Sequence, residues 1–189
     1  MEAAWGLVHE EGLAALSLRD LARRAGITTP TVYAYFDSKD AIYDAMFGRA
    51  ANEFADWVTE PLEADEPVEV LTLRAHRFVE FCTSDVARYQ LLFQRTIPDF
   101  EPSAESYAPA LRALDSAREC LVLNDVRQPK HLDLWTALLS GLVAQQVSND
   151  PGGDRWTLLV DEAVAMFLSH VRSRAGTPTP RSKRSTGRR

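Results

Sequence analysis

The chain has 189 residues, of which 46% are hydrophobic and 25% charged, and it carries a net charge of −6. That length holds one or two small domains with a sizeable core, and the composition is that of a soluble globular protein. No apolar run approaches the ~20 residues of a membrane span, no signal peptide opens the chain, and Cys82 and Cys120 fit neither a disulfide framework nor a zinc spacing. A reduced, cytoplasmic protein with no membrane partner is expected.

The first helix is expected over Glu2 to Glu11, with Leu7 and Val8 inward and Gly12 as its stop. Ser17 is a good N-cap for a second helix, and Asp20, three places on, suits the positive helix start and can return a hydrogen bond. Leu18, Leu21, Ala22 and Ala25 then share a face at helical spacing, and Gly26 follows where φ > 0 is needed. Ala22 is small where another helix must cross, and Ile27 and Val32 are placed to fill the wedge between them. A third helix starts near Thr28 or Thr29, with Pro30 in its first turn, where a missing N–H costs little. This is the physical specification of a helix-turn-helix.

A long fourth helix is expected from Ser38 or Lys39 to about Glu60. Its apolar stripe is Ile42, Met46, Phe47, Ala50, Phe54, Trp57 and Val58, and Pro61 ends it. An acidic linker, Glu63 to Pro67, follows. Further helices are expected near 67–83, 85–96, 104–124, 130–148 and 154–174. Pro98, Pro102 and Pro109 punctuate one loop, and Asp150-Pro151-Gly152-Gly153 another. In the last helix Trp156, Leu159, Val160, Ala163, Val164, Phe167, Leu168 and Val171 recur at i, i+3, i+4. In the one before, Trp135, Leu138, Leu139, Leu142 and Val143 do the same, with Ser140 and Gly141 allowing close approach. No strand-period segment and no internal repeat is present.

Ala22, Gly26 and Val32 fit the general helix-turn-helix pattern. The longer run, with Tyr33, Tyr35-Phe36, Ser38-Lys39 and Ile42, resembles the TetR family of bacterial transcriptional regulators over roughly residues 3 to 47. The resemblance implies an all-α fold of about nine helices. A DNA-binding helix-turn-helix domain would cover 1–47, a helical ligand-binding and dimerisation domain 48–174, and a disordered basic tail 175–189. It implies a homodimer through the last two helices on a palindromic double-stranded DNA operator, and repression relieved by a small apolar ligand. Helices before the motif in this family usually begin several residues earlier, after a flexible basic arm, whereas here the sequence reaches the first helix at once, which puts an arm's minor-groove contact in doubt.

Carried over position by position, the resemblance places Thr28, Thr29, Pro30 and Thr31 at base edges. Thr hydroxyls and methyls and the Pro ring suit that surface. Tyr33 and Tyr35 fall at the phosphates or groove wall, with Phe36 turned inward, and Tyr35 stands where the family often has His. Lys39 falls at a phosphate beside a helix start, and Arg19 enters from the preceding helix. For the effector, the middle helices offer Phe78, Cys82, Tyr89, Phe93, Tyr107, Trp135 and Leu139, with His76, Gln90, Gln94 and Gln145 as polar candidates to orient it. Trp135 to Val143, with Ser140-Gly141, also resembles a motif of one TetR subgroup that often has His-Gly.

Charge is distributed unevenly. From Arg19 to Lys39 four basic residues face two acids, and from Arg172 to Arg189 seven basic residues face none, which leaves the remainder strongly acidic. Unspecific DNA affinity should therefore be weak. His9, His76, His131 and His170 show no metal-ligand spacing, and there is no serine-nucleophile elbow, phosphate loop or CxxC. Neither enzyme nor cofactor is expected. The alternative reading is a helical small-molecule-binding or scaffold protein with little specific DNA binding.

Overall fold

The computed structural model describes residues 1–175, which form nine α-helices and no strand. α1 (Glu2–Glu11), α2 (Leu18–Ala25) and α3 (Thr29–Tyr33) form a small head. α4 (Lys39–Thr59) leaves it to join α5 (Pro67–Ser84), α6 (Val86–Phe93), α7 (Ala104–Leu123), α8 (Pro129–Asn149) and α9 (Val160–Ala175). The all-α fold is the one the sequence implies. The expected basic tail lies outside the described residues, apart from Ala175, which ends α9.

Local chemistry sets the head. The Ser17 Oγ accepts from the Asp20 N–H at 3.1 Å and donates to the Asp20 carboxylate at 2.5 Å. The carboxylate therefore answers the capping hydroxyl itself. Gly26 has φ 68°, and beyond it the Ile27 N–H reaches back to the Ala22 carbonyl, closing α2. Leu21, Ala22 and Val32 are buried at the α2–α3 crossing. Two expectations fail there: Ala25 is exposed, and Ile27 is 42% exposed at the outer edge of the turn rather than in the wedge. A residue whose N–H closes the helix end is carried past the crossing, so its side chain cannot fill it.

α4 belongs to two cores. Its first half (Ile42, Tyr43, Met46, Phe47, Ala51) packs with Ala4, Leu7, Val8, Leu13, Leu16 and Leu21 of the head. Its second half (Phe54, Ala55, Val58) packs with α5 to α9. Trp57, expected in the stripe, is 37% exposed and donates its indole N–H to the Arg77 carbonyl at 3.1 Å. The Tyr43 hydroxyl donates to the Leu13 carbonyl, fixing the short 3-10 turn Leu13–Ala15.

α7 runs beside α4 in the same direction. The Asp44 carboxylate accepts the Ser103 N–H at 2.6 Å and the hydroxyls of Ser103 and Ser106 at 2.9 Å each. Phe47 stacks on Tyr107 with centroids 6.1 Å apart, and Arg112 donates to Asn52 at 3.1 Å. A Cβ on Gly48 would stand 2.9 Å from the Ser106 hydroxyl, so this approach needs glycine.

Three boundaries differ from expectation. α6 stops at Phe93 rather than 96, where the chain enters a strap, 94–103, that Pro98 and Pro102 bias against helix. Pro109 does not punctuate that loop but lies buried inside α7. The missing hydrogen bond there is offset by burial beside α4. α9 begins at Val160 instead of 154, because the buried Gln146 accepts the Trp156 N–H at 2.8 Å and donates to the Asp150 carbonyl, holding that stretch as a turn.

Candidate functional site

The outer face of α3 presents the residues expected at DNA. Thr28 caps the helix: its Oγ1 lies 2.8 Å from the Thr31 Oγ1 and accepts the Thr31 N–H at 3.3 Å. The two hydroxyls thus answer each other, and Thr29, between them in sequence, has no hydrogen-bond partner for its hydroxyl among the described residues. Pro30 is exposed beside it. Tyr33 and Tyr35 are 53% and 77% exposed, whereas Phe36 turns in against the head core. Buried Val32 anchors this display from beneath.

Arg19 is exposed on α2. Lys39 stands at the first turn of α4, with Ser38 as its N-cap. Its Nζ donates to the Ala14 carbonyl at 3.1 Å and lies 5.3 Å from the centroid of the Tyr43 ring. The structure thus places all eight expected DNA residues in one α2–α3–α4 neighbourhood and holds the Lys39 ammonium at its edge. Sequence reasoning missed the tie beneath it: Arg24 makes a two-pronged pair with Glu10 at 2.5 and 2.6 Å, clasping α2 to α1. Its partner lies fourteen residues away on another helix, which no local spacing signals.

The second feature is a cavity of about 250 Å³ between α4, α5, α6, α7 and α8. Five of the seven expected ligand residues line it: Phe78, Phe93, Tyr107, Trp135 and Leu139. Cys82 and Tyr89 do not. Both are buried in the surrounding core, and burial pushes the Cys82 thiol well above its ordinary range and raises Tyr89 as well. None of the polar candidates lines the cavity either: His76 is paired with Asp161 at 2.7 Å, and Gln94 donates to the Tyr89 hydroxyl at 3.3 Å. The polar wall is Arg74, Ser116, Cys120, Thr136 and Ser140 instead. Burial pulls the Arg74 guanidinium below the ordinary arginine range, and it donates to the Val58 and Thr59 carbonyls at the end of α4. Burial likewise raises the Cys120 thiol, against the opposing effect of Arg74.

The space itself has a sequence cause. Ala110, Ala113 and Ala117 lie at helical spacing on α7 and line the cavity, so no bulky side chain fills the gap beside Phe54. In the sequence the signal for this space is the row of small residues on α7; the aromatic residues mark only its walls.

At the far end of the bundle, the stripe expected to form a dimer surface is largely consumed. Val160, Ala163, Val164, Phe167, Leu168 and Val171 are buried in the protomer's own core. What remains outward on α8 and α9 and the turn before it is Leu134, Leu158, Leu159 and Met166, beside Gly141, which has open space where a Cβ would stand. Among the described residues, no group of three or more His, Cys, Asp or Glu is placed to hold a metal, and no helix is long and apolar enough to cross a membrane.

Residues 1–46 match the family described as bacterial regulatory proteins, tetR family. The chain is 38% identical over 69 residues to the HTH-type transcriptional regulator EthR of Mycobacterium tuberculosis, which covers 36% of this chain and 31% of EthR. It is 30% identical over 98 residues to the HTH-type transcriptional repressor KstR2 of Rhodococcus jostii, covering 48% of this chain and 46% of KstR2. The matched stretches thus span a third to a half of those regulators' own length. Beyond the head the likeness is one of fold: the transcriptional regulator FadR of Bacillus subtilis, solved in complex with stearoyl-CoA, superposes with a TM-score of 0.70 at 19% identity, over 89% of this chain and 95% of that one.

Proposed function

We propose that this chain, whose residues 1–46 are a tetR-family head, is a homodimeric, cytoplasmic transcriptional repressor that leaves its operator when a small apolar ligand fills the bundle. The observation that carries the reading is the outward display of Pro30, Thr31, Tyr33 and Tyr35, exposed, with half-buried Thr29 among them, on a head whose α4 continues into the cavity wall. This face of short polar and aromatic residues packs against no other element among the described residues and suits the major groove, where Thr and Pro can meet base edges. Lys39 and Arg19 flank it as phosphate contacts that position rather than specify.

A single such helix binds too weakly to select a site, so two copies related by a two-fold axis are required, about 34–36 Å apart on successive turns of duplex. The outward residues of α8, α9 and the short turn before α9, Leu134, Leu158 and Met166 with open Gly141, supply the surface for the pairing. Release follows only for a ligand that favours the state with the heads misplaced, since equal affinity for both states shifts nothing.

The test is fluorescence anisotropy of the purified protein on DNA from upstream of its own gene, at two salt concentrations. Saturable binding that survives moderate salt and beats scrambled DNA supports the repressor. Weak binding, equal on every sequence, contradicts it and returns the reading to a ligand-binding or scaffold protein.

A further inference from the structure

A second recess, of about 500 Å³, lies beside the cavity, under the strap that joins α6 to α7. The two share three walls, Leu92, Phe93 and Tyr107. Phe93 and Tyr107 are 39% and 45% exposed, although Phe93 meets Phe54 and Phe78 edge-on and Tyr107 stacks on Phe47. Aromatic rings left this open between two spaces form a partition, not a core. The inner cavity alone is smaller than ordinary ligand sites of about 300–1,000 Å³, so an occupant of the inner space reaches that size only by extending into the outer recess.

We propose that the two spaces form one bipartite slot for a single-chain amphiphile, its apolar tail reaching the inner cavity past Phe93 and Tyr107 and its polar end held in the outer recess. The inference rests on the reading of the bundle as an effector site. Its shape follows from α7, whose lining residues run from Ala104 in the outer recess to Cys120 in the inner one. At 1.5 Å per residue that is a slot about 24 Å long, too long and narrow for a compact ligand. Its polarity is graded in the same direction: the outer recess has Gln94, Arg95 and Glu101 at its mouth, whereas the inner one is walled mainly by rings and the alanine row.

The test is calorimetric titration of the full chain with straight-chain saturated carboxylates from six to fourteen carbons, each below its micellar concentration. Affinity should rise about fourfold per added methylene across the whole series, because each enters the slot. Ala104→Trp, at an exposed position that faces only the outer recess, should weaken the fourteen-carbon probe at least tenfold. Ser140→Phe, which faces only the inner cavity, should do the same. Circular dichroism melting of both variants is the control for folding, with a cooperative transition expected for each. Absence of binding at every length, or long-chain affinity that Ala104→Trp leaves untouched, overturns the bipartite slot. Because the readout is binding and not DNA release, failure of the repressor reading would appear separately, as loss of operator selectivity with the chain-length series intact.

Discussion

The head and the bundle are two cores threaded by one helix, and they are packed to different standards. Around the first half of α4, Ile42, Met46, Ala50 and Ala51 have no exposed surface, and the Tyr43 hydroxyl is spent on the Leu13 carbonyl. Around the second half, the same helix looks across a cavity floored by alanines and bounded by half-open rings. Filled interiors transmit strain and hold one shape, while a void forfeits contacts on one side. The contrast teaches where this chain needs a fixed geometry and where it keeps space.

Matched substitutions break or sharpen that contrast. Met46→Ala should cost about 2–5 kcal/mol in urea unfolding, since nothing around it can collapse inward. Leu114→Ala, on the cavity wall and already part-exposed, should cost clearly less; equal losses would mean that the cavity is closed in solution. Small-to-large changes run the other way. Ala22→Leu, at the α2–α3 crossing, should destabilise by about 1–3 kcal/mol through overpacking, whereas Ala117→Leu should leave thermal stability unchanged or higher by filling space.

The outer face of the head yields a second pair, read by anisotropy. Thr29→Val should change which operator is preferred, by about 1–3 kcal/mol per lost base contact; equal loss on all sequences would show that it reads no base. Lys39→Ala should weaken every sequence alike and lower the salt slope by about 0.9. The smallest effect is alkaline. Cys82, Cys120 and Tyr89 all lie in the bundle with protons held more tightly when folded. Their contribution is complete below the free thiol's value of 9.0 and is lost as pH rises past it toward the raised folded values. Stability should therefore fall above that pH, and Cys82→Ala should flatten the decline.

Much of this architecture is legible in the sequence because its signals are local. The Ser17 cap, Gly26, Thr28 and the i, i+4 stripe of α4 each depend on residues within a turn or two of one another. What escaped depends on partners far along the chain. Asp44 meets Ser103 and Ser106, and Arg24 meets Glu10, so neither tie has a spacing to read. The same limit split the ligand wall: Phe78, Phe93, Tyr107, Trp135 and Leu139 stand at the cavity, but Cys82 and Tyr89, on the same helices, point into packed core. Aromatic content marks a core; only the small residues opposite decide whether it is hollow. Likewise the stripe of α9 was visible, but which helix would cover it was not.

Because α4 contributes to both cores, melting of either half should strip packing from the other. The chain should therefore unfold in one cooperative transition, and whatever occupies the bundle also protects the head. A ligand at a hundred times its dissociation constant adds about 2.7 kcal/mol to that common transition. An effector can thus be recognised by a rise in melting temperature alone, before any operator sequence is known.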